Sequence, residues 1–109
     1  MVNSILQSAG FELGKTYKET RFINPPKETY VVFNDAIENR GPDNLNMITT
    51  HDVSLEMYQY KPDPQAETRI ERELNARGIS YQKQPRYWIS SEQLYQIIYE
   101  FLYTEKQGG

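Results

Sequence analysis

Cysteine is absent from the 109 residues, and histidine occurs once, at His51. Without thiols there can be no disulfide, thiolate metal site or cysteine nucleophile, and one imidazole cannot build a multi-histidine metal centre. The glycines stand singly at 10, 14, 41 and 78 or at the very tail, so no glycine-rich loop is present to cradle a phosphate. No serine occupies a nucleophile elbow. No stretch approaches the roughly 20 consecutive apolar residues of a membrane span. The first residues, MVNSILQSAG, have neither the charged start nor the long apolar run of a secretion signal, so the chain is expected to fold inside a cell. An excess of positive charge is also missing. The formal net charge is −3, which disfavours general affinity for nucleic-acid phosphates or anionic membranes.

What the chain has in abundance is tyrosine, with nine copies. Its apolar body and wet tip suit half-buried sheet faces and protein interfaces. A chain of this length fits one domain, residues 1–109, burying about 65% of its unfolded surface. The last residues, 106–109, are expected to form a flexible tail.

The hydrophobic pattern predicts a short amphipathic helix from Val2 to Ala9, ended by Gly10. FELGKTYKETRF is irregular, and a short strand over Leu13 to Lys18 is its best reading. Pro25 and Pro26 hold Asn24 extended and mark a connection. TYVVFNDAI, residues 29–37, is bounded by turn formers and rich in β-branched and aromatic residues, and it reads as a central strand. The loop 38–46 holds Gly41, Pro42, Asp43 and three asparagines. After it, Val53, Leu55 and Met57 alternate with Asp52, Ser54, Glu56, Tyr58 and Tyr60. The two segments form a long hairpin with an oversized tip.

The period then changes. Asp63 is a suitable N-cap, Pro64 fits the first helical position, and Ala66, Ile70 and Leu74 share one face. Gly78 ends that helix, and Glu67, Arg69, Glu71, Arg72 and Glu73 read as its solvated side. ISYQKQ, residues 79–84, alternates as a strand, and a connection runs from Pro85 to Glu92. The final apolar segment is open to two readings. As a helix it would carry Leu94, Ile97, Ile98, Phe101 and Leu102 on one side and a second stripe of Tyr95, Tyr99 and Tyr103. As a strand it sets Tyr95, Ile97, Tyr99, Phe101 and Tyr103 against Leu94, Gln96, Ile98, Glu100 and Leu102. Sheet propensity favours the strand. The expected class is α+β: a mainly antiparallel sheet of about four to five strands flanked by two helices on one side, in the order α-β-β-β-α-β-β.

Catalytic, cofactor-binding and metal-binding residues are not expected. In a strand His51 and Asp52 face opposite ways, and Asp52 with Glu56 reads as a solvated strand face. Asp35, Glu38, Asp43 and Asp52 could meet a hard cation at the hairpin mouth, yet their spacing matches no calcium loop. Lys83, Arg86, Tyr87 and Trp88 combine two cations with two aromatics, the composition used to stack single strands. A loop anchored by a half-buried tryptophan gives the same pattern, and the acidic balance sides with it. The composition therefore points to an interaction protein.

The order NPPKETYVVF, a turn-rich insertion, HDVSLEMY, DPQAETRIERELNARGI, YQK and YWISSEQLYQIIYEF resembles the small tail-completion or tail-terminator proteins of long-tailed phages and Gram-positive prophages. Those proteins are encoded in the head–tail joining region. The similar stretches run from about Pro25 to Phe101. The resemblance implies an α+β structural virion protein without enzymatic activity or cofactor, located at the head–tail junction and assembled in the host cytoplasm. It implies a self-associating ring, a hexamer in the virion, that stops tail-tube polymerisation and meets the tail-tube and head-connector proteins. No membrane and no sequence-specific nucleic-acid partner is implied. A closed ring needs two different surfaces on each subunit. The candidates are the tyrosines Tyr58, Tyr60, Tyr95 and Tyr99, and the hairpin tip with Glu38, Arg40, Asp43, Asn44 and Asn46. Packing beneath the helices is the competing role for the tyrosines.

Overall fold

The computed structural model describes residues 1–40 and 47–107. Its elements are α1 (Val2–Ser8), β1 (Tyr17–Glu19), β2 (Tyr30–Arg40), β3 (Met47–Gln59), α2 (Pro64–Ala76), β4 (Gln82–Lys83), β5 (Tyr87–Ile89) and β6 (Leu94–Gln107). The class is α+β, with two helices on a six-stranded sheet. The strand order is β1-β2-β3-β6-β4, and β5 also pairs with β6. All pairs are antiparallel except β1 with β2, which is parallel. A parallel neighbour needs the chain to cross back over the sheet. Residues 20–29 do so, with Phe22 edge-on to Tyr30 at 5.4 Å between ring centroids.

The sheet is organised by two long ladders, β2 on β3 and β3 on β6. Their registers hold one constant offset from Tyr30↔Tyr58 to Arg40↔Ile48 and from Met47↔Gln107 to Gln59↔Tyr95, with no bulge. The middle strand is therefore β3, while among the described residues the outer side of β2 pairs only with the short β1. The last segment is the strand its alternation favours. At about 3.3 Å per residue, 14 residues run to about 46 Å, close to the molecule's longest extent of 48 Å.

Strand alternation fixes what is buried. Val31 and Phe33 on β2, Val53, Leu55 and Met57 on β3, and Ile97, Tyr99 and Phe101 on β6 share one face. They form a single core with Val2, Ile5 and Leu6 of α1 and Ala66, Ile70 and Leu74 of α2. Burying each such aliphatic side chain contributes about 1.5–3 kcal/mol before entropy is counted. The α2 signals act as written. Asp63 Oδ1 accepts from the Ala66 amide at 3.2 Å, and Gly78 takes the left-handed φ of +68°.

Several local expectations are displaced. The first strand is Tyr17–Glu19 rather than Leu13 to Lys18, because Tyr17 is the buried anchor and Leu13 is exposed. The Tyr17 hydroxyl donates to Asn3 and accepts from Gln7, tying β1 to α1. The 79–84 strand shrinks to Gln82–Lys83, while Tyr87–Ile89, read as connection, pairs with the start of β6. β2 continues to Arg40, and β6 continues to Gln107, into the expected tail.

Candidate functional site

The four candidate tyrosines do not share a surface. Tyr58 lies on the face opposite the helices, stacked on Tyr30 at 5.1 Å. Its hydroxyl donates to Glu56 at 2.9 Å and accepts from Gln96 at 3.0 Å. Burial, and next the hydrogen bond to Glu56, push its pKa up to about 12. Tyr60 is 41% exposed and donates to the Pro26 carbonyl at 2.8 Å, which fastens the 20–29 crossover to the end of β3. Tyr95, on the helix side, packs against Trp88 at 4.8 Å. Tyr99 is fully buried and donates to Glu71 at 2.7 Å. Burial and the Glu71 carboxylate raise its pKa far above that of a free phenol. Tyr99 therefore leaves the set of surface candidates, because packing under α2 consumes the whole ring.

Of the hairpin-tip candidates, Glu38 is exposed on β2 opposite Thr50, and Arg40 occupies the register position opposite Ile48. Asp43, Asn44 and Asn46 lie outside the described residues.

The cations proposed for stacking nucleic acid are engaged with carboxylates. Lys83 Nζ donates to Glu67 and to Glu71, both at 2.8 Å, and Arg86 donates to Glu67 at 2.7 Å. Glu67, expected on the solvated side of α2, is only 7% exposed and also accepts from the buried Gln59 amide. Burial alone would raise its pKa. Hydrogen bonds from Lys83, Arg86 and Gln59 and the Lys83 charge outweigh that and hold it below the ordinary carboxylate value. Gln59 also accepts from the Asp63 amide, so one polar cluster joins the end of β3, the start of α2 and the β4–β5 segment. Beside it, Tyr87 and Trp88 are 64% and 41% exposed.

Strand register assembles a second polar cluster at the opposite end. His51 Nδ1 lies 2.8 Å from Asp35 Oδ1 on β2, and its ring stacks on Tyr103 of β6 at 4.2 Å and 5°. Three strands are thereby tied side chain to side chain. Burial, then the charges of Asp35 and Glu105, push the Tyr103 hydroxyl up to about 12. The other ring nitrogen of His51, Nε2, is buried without a hydrogen-bond partner among the described residues, and the Glu105 carboxylate is 3.9 Å away, beyond hydrogen-bond reach. The sequence signal for this pair was Asp35 itself, a carboxylate on the core side of β2 in phase with Val31 and Phe33. The expected separation of His51 from Asp52 holds, since Asp52 sits on the opposite face.

On the open face, the crossover and the ends of β2 and β3 border a groove of about 400 Å³. Phe22, Tyr30, Tyr58 and Tyr60 line it together with Glu56 and Glu92. Among the described residues no group of three potential ligands is placed to hold a metal ion, and no helix is long and apolar enough to cross a membrane. No protein-family model matches the chain, and no curated protein matches it.

Proposed function

We propose that this chain is a structural virion protein of the head–tail junction, a ring-forming subunit that caps the tail tube or joins it to the head connector. The order of motifs from Pro25 to Phe101 suggests this reading. The observation that carries it is the far end of the sheet, where β2, β3 and β6 run on past the main core and, among the described residues, leave large apolar side chains exposed. Ile37, Ile48 and Leu102 are there 60%, 44% and 63% exposed. Exposed apolar side chains on an extended strand ribbon suit contact with another protein better than they suit solvent. The polar clusters support a scaffold rather than a reaction centre, because their charged groups are spent on linking α2 to β4 and β2 to β3. A nucleic-acid module built on Lys83, Arg86, Tyr87 and Trp88 is the competing reading. The carboxylates paired with both of its cations weigh against it.

Electron microscopy of lysates from a phage or induced prophage lacking this gene tests the proposal. The expected result is filled heads without tails beside free tails that are overlong or unfinished at one end. Normal infectious particles overturn it. Salt-dependent binding of single-stranded DNA by the purified protein would then favour the module.

A further inference from the structure

The two long ladders leave backbone groups of the ribbon turned outward on both sides. On β2 the Val31 amide donates to the Thr16 carbonyl and the Phe33 carbonyl accepts from the Thr20 amide. The odd-numbered residues of β2 therefore direct their N–H and C=O groups away from β3. Cover by β1 stops at Phe33, opposite Glu19, so the next outward-facing positions are Asp35 and Ile37. On β6 the Ile98 carbonyl accepts from the Gln84 amide, and Glu100 is the register partner of Gln82. The even-numbered residues thus face outward, β4 stops at Glu100, and Leu102 and Thr104 come next.

These two edges match. Asp35, Val53 and Phe101 occupy one cross-strand row, so among the described residues the stretch of β2 beyond β1 begins level with the stretch of β6 beyond β4. Both strands are antiparallel to β3 and therefore run in the same direction. Neither 34–37 nor 101–105 contains a proline, a lysine or a bulge, three of the devices that stop an edge strand from pairing with another chain, and the inward-facing carboxylate of Asp35 is taken up by His51. Each edge also carries a large exposed aliphatic side chain, Ile37 on one and Leu102 on the other.

We propose that copies of this chain join head to tail by backbone pairing of the outer edge of β2, at Asp35 and Ile37, with the outer edge of β6, at Leu102 and Thr104, of the next copy. The sheet then continues from subunit to subunit with parallel strands at each junction. The two edges are different surfaces on opposite sides of one ribbon. The contact is heterologous, and every open chain of copies keeps one free edge at each end until a ring closes. The occupant is a second copy because each copy supplies both halves of the match, at the same level and in the same direction. The inference rests on the ring reading for its closure, and on the strand register for its chemistry.

Sedimentation velocity over rising protein concentration tests it, with wild type, Ile37→Pro, Thr104→Pro and a 1:1 mixture of the two variants. Proline at an outward-facing position removes only a donor that the isolated subunit does not use, so folding is expected to survive. Thermal melts check that each variant is folded. If either proline variant fails to fold, Ile37→Lys or Thr104→Lys takes its place. Wild type is expected to form species larger than a dimer, and each variant alone should sediment as a monomer. The mixture should give a dimer and nothing larger, since each variant retains the edge the other lacks. A wild type that stays monomeric throughout overturns the proposal, as does self-pairing by a single variant. Variants that assemble like wild type overturn edge pairing while leaving the head–tail reading to the microscopy.

Discussion

In the cross-strand row Val31, Met57, Ile97, no residue is more than 1% exposed. Six residues further along β2, the row Ile37, His51, Tyr103 combines an isoleucine that is 60% exposed with an imidazole bonded to a carboxylate. Both rows lie on the same face of the same three strands, and both follow the same alternation. Only the first lies under the helices. The near end is held by apolar burial, and the far end by its backbone ladders and by polar ties such as that of His51 to Asp35. Strand pattern specifies which way a side chain points, whereas the reach of the helix layer decides whether that direction is inside.

The largest effect should come from hollowing the near row. Met57→Ala is expected to cost about 2–5 kcal/mol by denaturant unfolding, while Leu102→Ala at the far end should stay within about 0.5 kcal/mol. Equal losses at the two positions would erase the distinction between the ends.

Glu67→Gln probes the joint between α2 and the β4–β5 segment. Removing the charge leaves Lys83 and Arg86 without their shared partner, for an expected loss of about 1–3 kcal/mol at neutral pH. The folded carboxyl titrates below its ordinary value of 4.5, so its stabilisation is present above pH 4.5 and is lost as pH falls through the folded pKa. Melting temperature against pH should therefore show a shallower acid decline in the variant than in wild type. Parallel curves would remove Glu67 as the source.

A smaller loss than that at Glu67 is expected at the far tie. His51→Phe keeps a ring against Tyr103 but strips Asp35 of its partner, and about 1 kcal/mol should be lost. Hydrogen exchange at the amides of β2 beyond Phe33 should quicken while that of Val31 does not. Uniform quickening would mean that the two ends open as one unit.

Much of this fold can be read in the chain because its signals are local. The 53/55/57 alternation, the Asp63-Pro64 helix start and the alternation of tyrosine with isoleucine and phenylalanine after residue 94 each act within a few residues. The clusters are different in kind. Glu67 looks solvated when α2 is considered alone, and becomes buried because β4 and the residues before β5 fold back beside it. The Asp35–His51 pair depends on the register between β2 and β3, which periodicity does not encode. Tyr87–Ile89 is too short to display a period, and its strand character comes from pairing with β6. For the tyrosines, composition pointed equally to interface and interior. Tyr99 is interior, while Tyr60 reaches solvent.

The position of β6 in the chain has a consequence for synthesis. This strand, encoded after every other element described, lies inside the sheet between β3 and β4 and supplies Ile97, Tyr99 and Phe101 to the core. Until residues 94–107 leave the ribosome, the nascent chain carries β3 with one side unpaired and its helices without much of their floor. Contacts so distant in sequence slow folding, and a partner able to shield that open strand has only this interval in which to act.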